Sequence, residues 1–129
     1  AVIAVQKDPV AFTRWDNGEP SDKPLFVLPA SEELPTTYNL YMGGDFGETI
    51  LDTDRPELPN VLVFGDSFTN ALETLLYASF NEMHSLDLRY YTKQSLKDYI
   101  AAYQPDLVLC VQNDTFYYTE GGNNAVWED

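Results

Sequence analysis

A chain of 129 residues is sized for one domain and buries roughly two-thirds of the surface its unfolded form exposes. Its 44% hydrophobic and 14% aromatic content exclude an intrinsically disordered chain, because that much apolar surface offsets the loss of chain entropy. Seven basic against 21 acidic residues leave a net charge of −14, which repels phosphate backbones and anionic lipid and so argues against nucleic acid as a partner.

The chain opens without methionine on an apolar run, Ala1-Val2-Ile3-Ala4-Val5, strand-like and without lead-in, which reads as part of a longer protein. No apolar run reaches 18 residues, so no segment is expected to insert in a membrane and no signal peptide is recognisable. Residues 1–58 are loop-rich. Seven of the eight prolines precede Asn60, separating short runs such as Leu25-Phe26-Val27-Leu28 and Tyr38-Asn39-Leu40-Tyr41-Met42. Gly43-Gly44 then marks a turn before Glu48-Thr49-Ile50-Leu51, which predicts a hairpin with a short irregular connection.

Residues 59–129 alternate strand and helix patterns, the mark of a parallel sheet covered by helices. Val61–Phe64 is a continuous apolar run suited to a strand buried on both faces. After Gly65-Asp66-Ser67, apolar residues at Phe68, Leu72, Leu75, Leu76 and Phe80 define one face of a helix. Leu86, Leu88 and Tyr90 alternate with Asp87 and Arg89 as a second strand. A second helix is predicted at Leu96, Tyr99, Ile100 and Tyr103, with Ser95 and Asp98 at capping-box spacing and Pro105-Asp106 ending it. Leu107–Val111 is the third strand, and Cys110 within it reads as a small buried hydrophobe. The three strands are expected to be parallel neighbours with Val61–Phe64 in the middle.

In such a sheet ligands bind at the carboxyl ends of the strands, and Ser67 falls there. It also begins a helix, where unpaired N–H groups and the dipole favour a developing oxyanion. The competing assignment is that Asp66 or Ser67 simply caps the helix. Asn113 follows the third strand at the same edge, and its side-chain amide can donate to an oxyanion held at the serine; Asn113-Asp114 reads equally as an ordinary turn.

These two segments together resemble the SGNH hydrolase superfamily, in which a Gly-Asp-Ser block carries the nucleophile and a later Gly-x-Asn-Asp block carries an oxyanion-hole asparagine. With Tyr41-Met42-Gly43-Gly44 upstream and Leu86-Asp87-Leu88-Arg89-Tyr90-Tyr91 downstream, the last 90 residues or so look more like the branch of DHHW proteins and alginate O-acetyltransferase-type domains. The resemblance implies a three-layer α/β/α, flavodoxin-like parallel sheet, incomplete in this chain and preceded by a loop-rich β segment, within one domain over 1–129. It implies Ser67 as nucleophile, supported by Gly65 and Asp66, and Asn113 as oxyanion donor. It implies transfer or removal of O-acetyl groups on extracytoplasmic polysaccharide through an acetyl-serine intermediate, with no metal and no cofactor. In that branch an Asp-x-His pair lies upstream of the nucleophile, and ordinary members carry Asp-x-x-His near the C-terminus. Neither is present, so the acid-base pair is expected on an upstream segment of the same protein. The region that usually gives a glycine to the oxyanion hole falls near Arg89-Tyr90-Tyr91, which has none, and Val111 stands where ordinary members have glycine before the asparagine pair.

His84 is expected to lie at the amino end of the second strand, about 16 Å from the serine edge, and to be structural or surface. Arg89, Tyr90 and Tyr91, with Phe116, Tyr117 and Tyr118, are candidates for stacking on sugars and gripping hydroxyls or carboxylates, or else the edge of a core. Asp45 with Asp52-Thr53-Asp54 offers oxygen ligands to a hard cation but lacks EF-hand spacing. Asn113-Asp114-Thr115 matches a glycosylation acceptor. The expected function is thus the C-terminal part of an O-acetyltransferase or acetylesterase, silent on its own. The rival is a non-catalytic carbohydrate-binding or structural module. In the enzyme reading, Asn113 Nδ2 is expected within about 5 Å of Ser67 Oγ.

Overall fold

The computed structural model describes residues 9–31 and 33–115. Among them one sheet runs through β1 (Thr13–Asp16), β2 (Glu19–Pro20), β3 (Glu48–Asp52), β4 (Val61–Gly65), β5 (Glu82–Asp87) and β6 (Leu107–Val111), in the order β2-β1-β3-β5-β4-β6. Strand β4 lies between β5 and β6 and is parallel to both, in the expected order. Every residue of β4 is buried, as a continuous apolar run requires of a central strand.

Side-chain alternation assigns the two helices to opposite faces. Val61 and Val63 share a core with Leu51, Tyr77, Phe80 and Met83, beside the first helix, α1 (Phe68–Leu76). Leu62 and Phe64 share another with Leu86, Leu88, Tyr91 and Tyr99, beside the second, α2 (Leu96–Tyr103). The protein is therefore α/β with a helix on each face of the sheet.

The sheet is mixed rather than parallel throughout. Strand β3 pairs antiparallel with β5 and with β1, and β1 with β2. The loop-rich residues before Pro56 thus extend the same sheet. This overturns the expected hairpin between Tyr38–Met42 and Glu48–Leu51. Tyr38–Leu40 is a 3₁₀ turn, and Phe26 bridges Tyr41 instead. A buried guanidinium explains the difference: Arg14 donates from Nη2 to Met42 O at 2.7 Å, from Nη1 to Lys23 O at 3.3 Å and Pro24 O at 3.2 Å, and from Nε to Asp16 at 2.9 Å. Three loop carbonyls that would otherwise be stranded are gathered on one cation.

Two further expectations need correction. The strand predicted at Leu86–Tyr90 lies at Glu82–Asp87, and Tyr90 and Tyr91 both donate backbone N–H to Asp87 O in a turn. Polar Glu82, His84 and Ser85 hid the strand, because their burial depends on partners from other elements. Helix α1 is also rotated from its predicted face. Phe68, Leu72 and Leu75 are 54%, 37% and 69% exposed, whereas Thr69, Asn70, Glu73 and Thr74 are buried. The surface beneath α1 is polar here: Ser85 donates to Glu73 at 2.5 Å and Asn70 to Asp45 at 2.9 Å. Burial raises the Glu73 pKa, against the pull of Ser85 and Thr69. Apolar contact with the core comes from Leu76, Tyr77 and Phe80.

Helix α2 follows its sequence signals. Ser95 Oγ accepts the Asp98 N–H at 3.1 Å, and Gln104 closes the far end in the left-handed region, donating to Ile100 O. Strand β6 lies at the sheet edge, and Cys110, expected to be buried, is exposed there. Among the described residues no helix is long and apolar enough to cross a membrane.

Candidate active site at the carboxyl edge of the sheet

Strand β4 ends at Gly65, where the neighbouring strand leaves no room for a side chain. A Cβ there would lie 1.8 Å from Val111 O. Directly after it, Asp66 is almost fully buried, and its carboxylate serves two elements. Oδ1 accepts the Phe68 N–H at 2.9 Å at the start of α1, and Oδ2 accepts the Asn113 N–H at 2.8 Å just beyond β6. Asp66 therefore both caps the helix and ties Asn113 to the residue preceding Ser67.

Ser67 has helical backbone angles, φ −59° and ψ −10°, is half-buried, and makes no side-chain capping bond. The capping role is taken by Asp66, leaving the Ser67 hydroxyl clear of it. The amides at the helix start, by contrast, are not open to a ligand as the sequence suggested. Phe68 N–H is on the Asp66 carboxylate, Thr69 N–H on Asp66 O, and Asn70 N–H on Ser67 O. Asn113 Oδ1 accepts from both Thr115 N–H and Thr115 Oγ1 at 3.0 Å. With that oxygen engaged, Nδ2 is the group Asn113 has to offer. The same bonds fold Asn113-Asp114-Thr115 into a local turn.

On the other flank of Ser67 the end of β5 is braced by charge. Leu88 N–H donates to Gly65 O at 2.8 Å. Arg89 Nη2 reaches Asp87 Oδ2 at 2.6 Å and Asp45 Oδ2 at 2.8 Å, with Nε on Asp87 Oδ1 at 3.0 Å. Hydrogen bonds to Asp87 push the Arg89 pKa further up, so the cation is permanent. The Asp45 carboxylate completes the brace through Asn70, one turn along α1 from Ser67. Asp45 entered the sequence reading only as an oxygen ligand for a cation, and Asn70 not at all; the only signal for the brace was a polar residue inside the helix.

The candidate sugar contacts divide. Arg89 is engaged by Asp87 and Asp45, so it braces the edge rather than reaching for a substrate carboxylate. Tyr91 is buried edge-on against Tyr99 at 5.5 Å, while Tyr90 is 57% exposed with Arg89 lying 5.1 Å from its ring centre. Tyr38, 44% exposed, meets the Ala71 backbone; partial burial raises its pKa, with Asp45 and Asp66 close enough to add to the effect. Phe116, Tyr117 and Tyr118, like Ala1–Val5, lie outside the described residues. Of the acidic candidates for a cation, Asp52 Oδ1 accepts the Asp54 N–H while Asp45 faces Asn70 and Arg89. No group of three or more His, Cys, Asp or Glu among the described residues is arranged to hold a metal.

His84 is buried in the body of β5, not ahead of it. It pairs with Leu62, three residues before Gly65, which puts it roughly 10 Å back from the edge and on the α2 face. Its ring stacks on Tyr103 at 3.6 Å, Nδ1 lies 2.7 Å from Tyr99 Oη, and Tyr99 donates to Glu48 at 2.9 Å.

No protein-family model matches this sequence, and no curated protein does. Among solved structures, a DHHW family protein from Eubacterium siraeum DSM 15702 superposes with a TM-score of 0.68 at 24% identity, over 88% of this chain and 39% of that one. Bacillus cereus PatB1 superposes with a TM-score of 0.69 at 26% identity, over 86% of this chain and 37% of that one. PatB1 with a sulfonyl adduct gives 0.69 at 25%, over 86% and 39%. The chain spans under two-fifths of each of these proteins and shares their fold over that length: it is similar to a DHHW family protein and to PatB1.

Proposed function

We propose that Ser67 is the nucleophile of an SGNH-type O-acetyltransferase or acetylesterase acting on extracytoplasmic polysaccharide, with its acid-base pair on polypeptide outside these 129 residues. The observation that supports this reading is the Asp66 carboxylate, which holds the Asn113 backbone N–H to the residue preceding Ser67 while taking over the helix cap. Ser67 Oγ would attack an acetyl carbonyl, giving its proton to the external base. Asn113 Nδ2 would donate to the oxyanion. Expulsion of the donor alcohol leaves acetyl-serine, and a sugar hydroxyl or water then takes the acetyl group and restores the serine.

What supports an external base is that the sequence has one histidine, and His84 is engaged by Tyr99 and Tyr103 of α2. Among the described residues β6 is the last strand of the sheet and α1 presents Phe68, Leu72 and Leu75 outward, surfaces that suit the reception of such a segment. The missing base equally favours a rival, a carbohydrate-binding module that keeps the fold without chemistry.

Sulfonylation separates the two, since a sulfonyl fluoride reports an activated hydroxyl. The 129-residue chain, its Ser67→Ala variant and a protein extended upstream are each treated with methanesulfonyl fluoride and assayed on an activated acetyl ester. The extended protein should be labelled at Ser67 and lose roughly 10³-fold or more activity in Ser67→Ala. The short chain and its variant should be indistinguishable. Activity of the extended protein that survives Ser67→Ala defeats the proposal, and Ser67-dependent turnover by the short chain places the base within it.

A further inference from the structure

At the end that carries Ser67, α1 is held to the sheet by polar groups. Its buried residues, Thr69, Asn70, Glu73 and Thr74, are all polar, and of the helix only Leu76, at the far end, joins the apolar core. Glu73 is the carboxyl among them, and it is almost fully buried. Ser85 of β5 donates to its Oε1 at 2.5 Å, and Thr69, one turn back along the helix, bonds it as well. Ser85 pairs with Val63 of β4 and Thr49 of β3, so the anchor lies inside the sheet rather than at its rim. From Glu73 the contacts lead to the serine. Thr69 Oγ1 lies 3.5 Å from Asn70 Oδ1, Asn70 Nδ2 donates to Asp45 at 2.9 Å, and Asn70 N–H donates to Ser67 O at 3.2 Å.

We propose that Glu73 is a positioning residue for the helix start: its bonds to Ser85 and Thr69 fix the rotation of α1 over β5, and with it the place where the Ser67 hydroxyl is held. The reason is direction. Apolar attraction is non-directional, so a helix seated on an apolar face can turn at little cost. Hydrogen bonds weaken steeply when bent, so a helix seated on them has one rotation in which all of them close. Chemistry at a nucleophile is sensitive on the same scale, since a misplacement of about 1 Å can cost roughly 10²-fold in rate. Desolvation raises the Glu73 pKa against the bonds from Ser85 and Thr69 and the attraction of Arg14 on β1, and Asp87 on β5 adds to the rise. The neutral acid that burial favours accepts from Ser85 with one oxygen and can donate to Thr69 with the other. Glutamine copies that pattern, whereas methionine fills a similar volume without it.

The inference rests on the Ser67 reading for what the positioning serves, but the first half of its test does not. Amide hydrogen exchange, followed by NMR in the 129-residue chain, measures the seat of the helix without any chemistry. In Glu73→Met the Thr69 and Asn70 amides should exchange about tenfold faster relative to those of β4 and β5, and in Glu73→Gln they should match the parent. In a protein extended upstream, Glu73→Met should lower kcat on an activated acetyl ester by roughly 10²-fold with KM unchanged, and Glu73→Gln should restore it. If Glu73→Met does not fold, Ser85→Ala, which removes one of the two bonds, takes its place in both measurements with the same expected direction. A residue that only adds stability would speed the exchange of all these amides together and leave kcat of the folded protein as it was. Either of those results overturns the inference, and so does Glu73→Gln as impaired as Glu73→Met. The expected exchange pattern in a protein whose extended form shows no Ser67-dependent turnover overturns the Ser67 reading alone.

Discussion

At the scale of single residues, the site is built by exclusion as much as by attraction. Gly65 is required because β6 passes where its side chain would be. Asp66 is required because two backbone N–H groups from different elements converge on it. Gly65→Ala must push β6 away or distort β4, and overpacking of this kind costs about 3 kcal/mol. Urea denaturation should show a correspondingly lower midpoint, and the Asn113 turn should lose its order with it. A variant as stable as the parent would mean that the strands are not in contact at Gly65. The strand-to-helix junction at Gly65-Asp66-Ser67 was legible in the sequence, and so was the strand that ends at Val111 ahead of Asn113. The division of labour within it was not: capping by Asp66 rather than Ser67 depends on where Asn113 N–H arrives, which is a tertiary fact.

At the scale of elements, β5 carries polar residues that are buried only because other elements complete them. His84 shows the consequence. Facing it are Tyr99 and Tyr103 from α2, Glu82 from its own strand and Glu48 from β3, and its Nε2 is buried without a hydrogen bond. Desolvation lowers its pKa below the ordinary 6.5, outweighing the pull of Glu82 and Glu48. The unfolded chain therefore binds a proton at a pH where the folded chain does not. The stabilisation is fully present above about pH 6.5 and is lost as pH falls through the depressed folded pKa. Unfolding free energies between pH 7.5 and pH 5 should decline in the parent, and the decline should be shallower in His84→Gln, which cannot take up the proton. An unchanged slope would show that His84 is not the group responsible.

At the scale of the whole molecule, the two edges of the sheet differ among the described residues. The β2 side ends in a two-residue strand carrying a proline, Glu19–Pro20, a common way to blunt an edge. Strand β6 is the other edge among the described residues, and Leu107 and Val108 in it are 42% and 39% exposed. The net charge of −14 opposes association at low salt, where the Debye length is about 30 Å, but is screened at about 1 M, where it is about 3 Å. Sedimentation velocity should therefore show the average mass rising with salt, and Val108→Lys should suppress the rise while changing stability by about 0.5 kcal/mol or less. A monomer at every salt concentration would show that the edge is not adhesive.

The sequence by itself determined what local pattern encodes. The apolar runs Val61–Phe64 and Leu107–Val111, the capped helix after Ser95, and the strand-to-helix junction at Gly65-Asp66-Ser67 all follow from propensity, period and capping within short windows. Tertiary structure alone decided the rest. Helix α1 turned its apolar stripe outward because Ser85 and Asp45 offered partners to Glu73 and Asn70. Strand β3 left its expected hairpin for β1 and β5 because Arg14 held the intervening loop by its carbonyls. His84 was buried in β5 because Tyr99 and Tyr103 arrived over it from α2. In each case a polar group was placed by a partner far away in sequence. A buried hydrogen bond depends on both partners at once, whereas an apolar residue needs only to leave water.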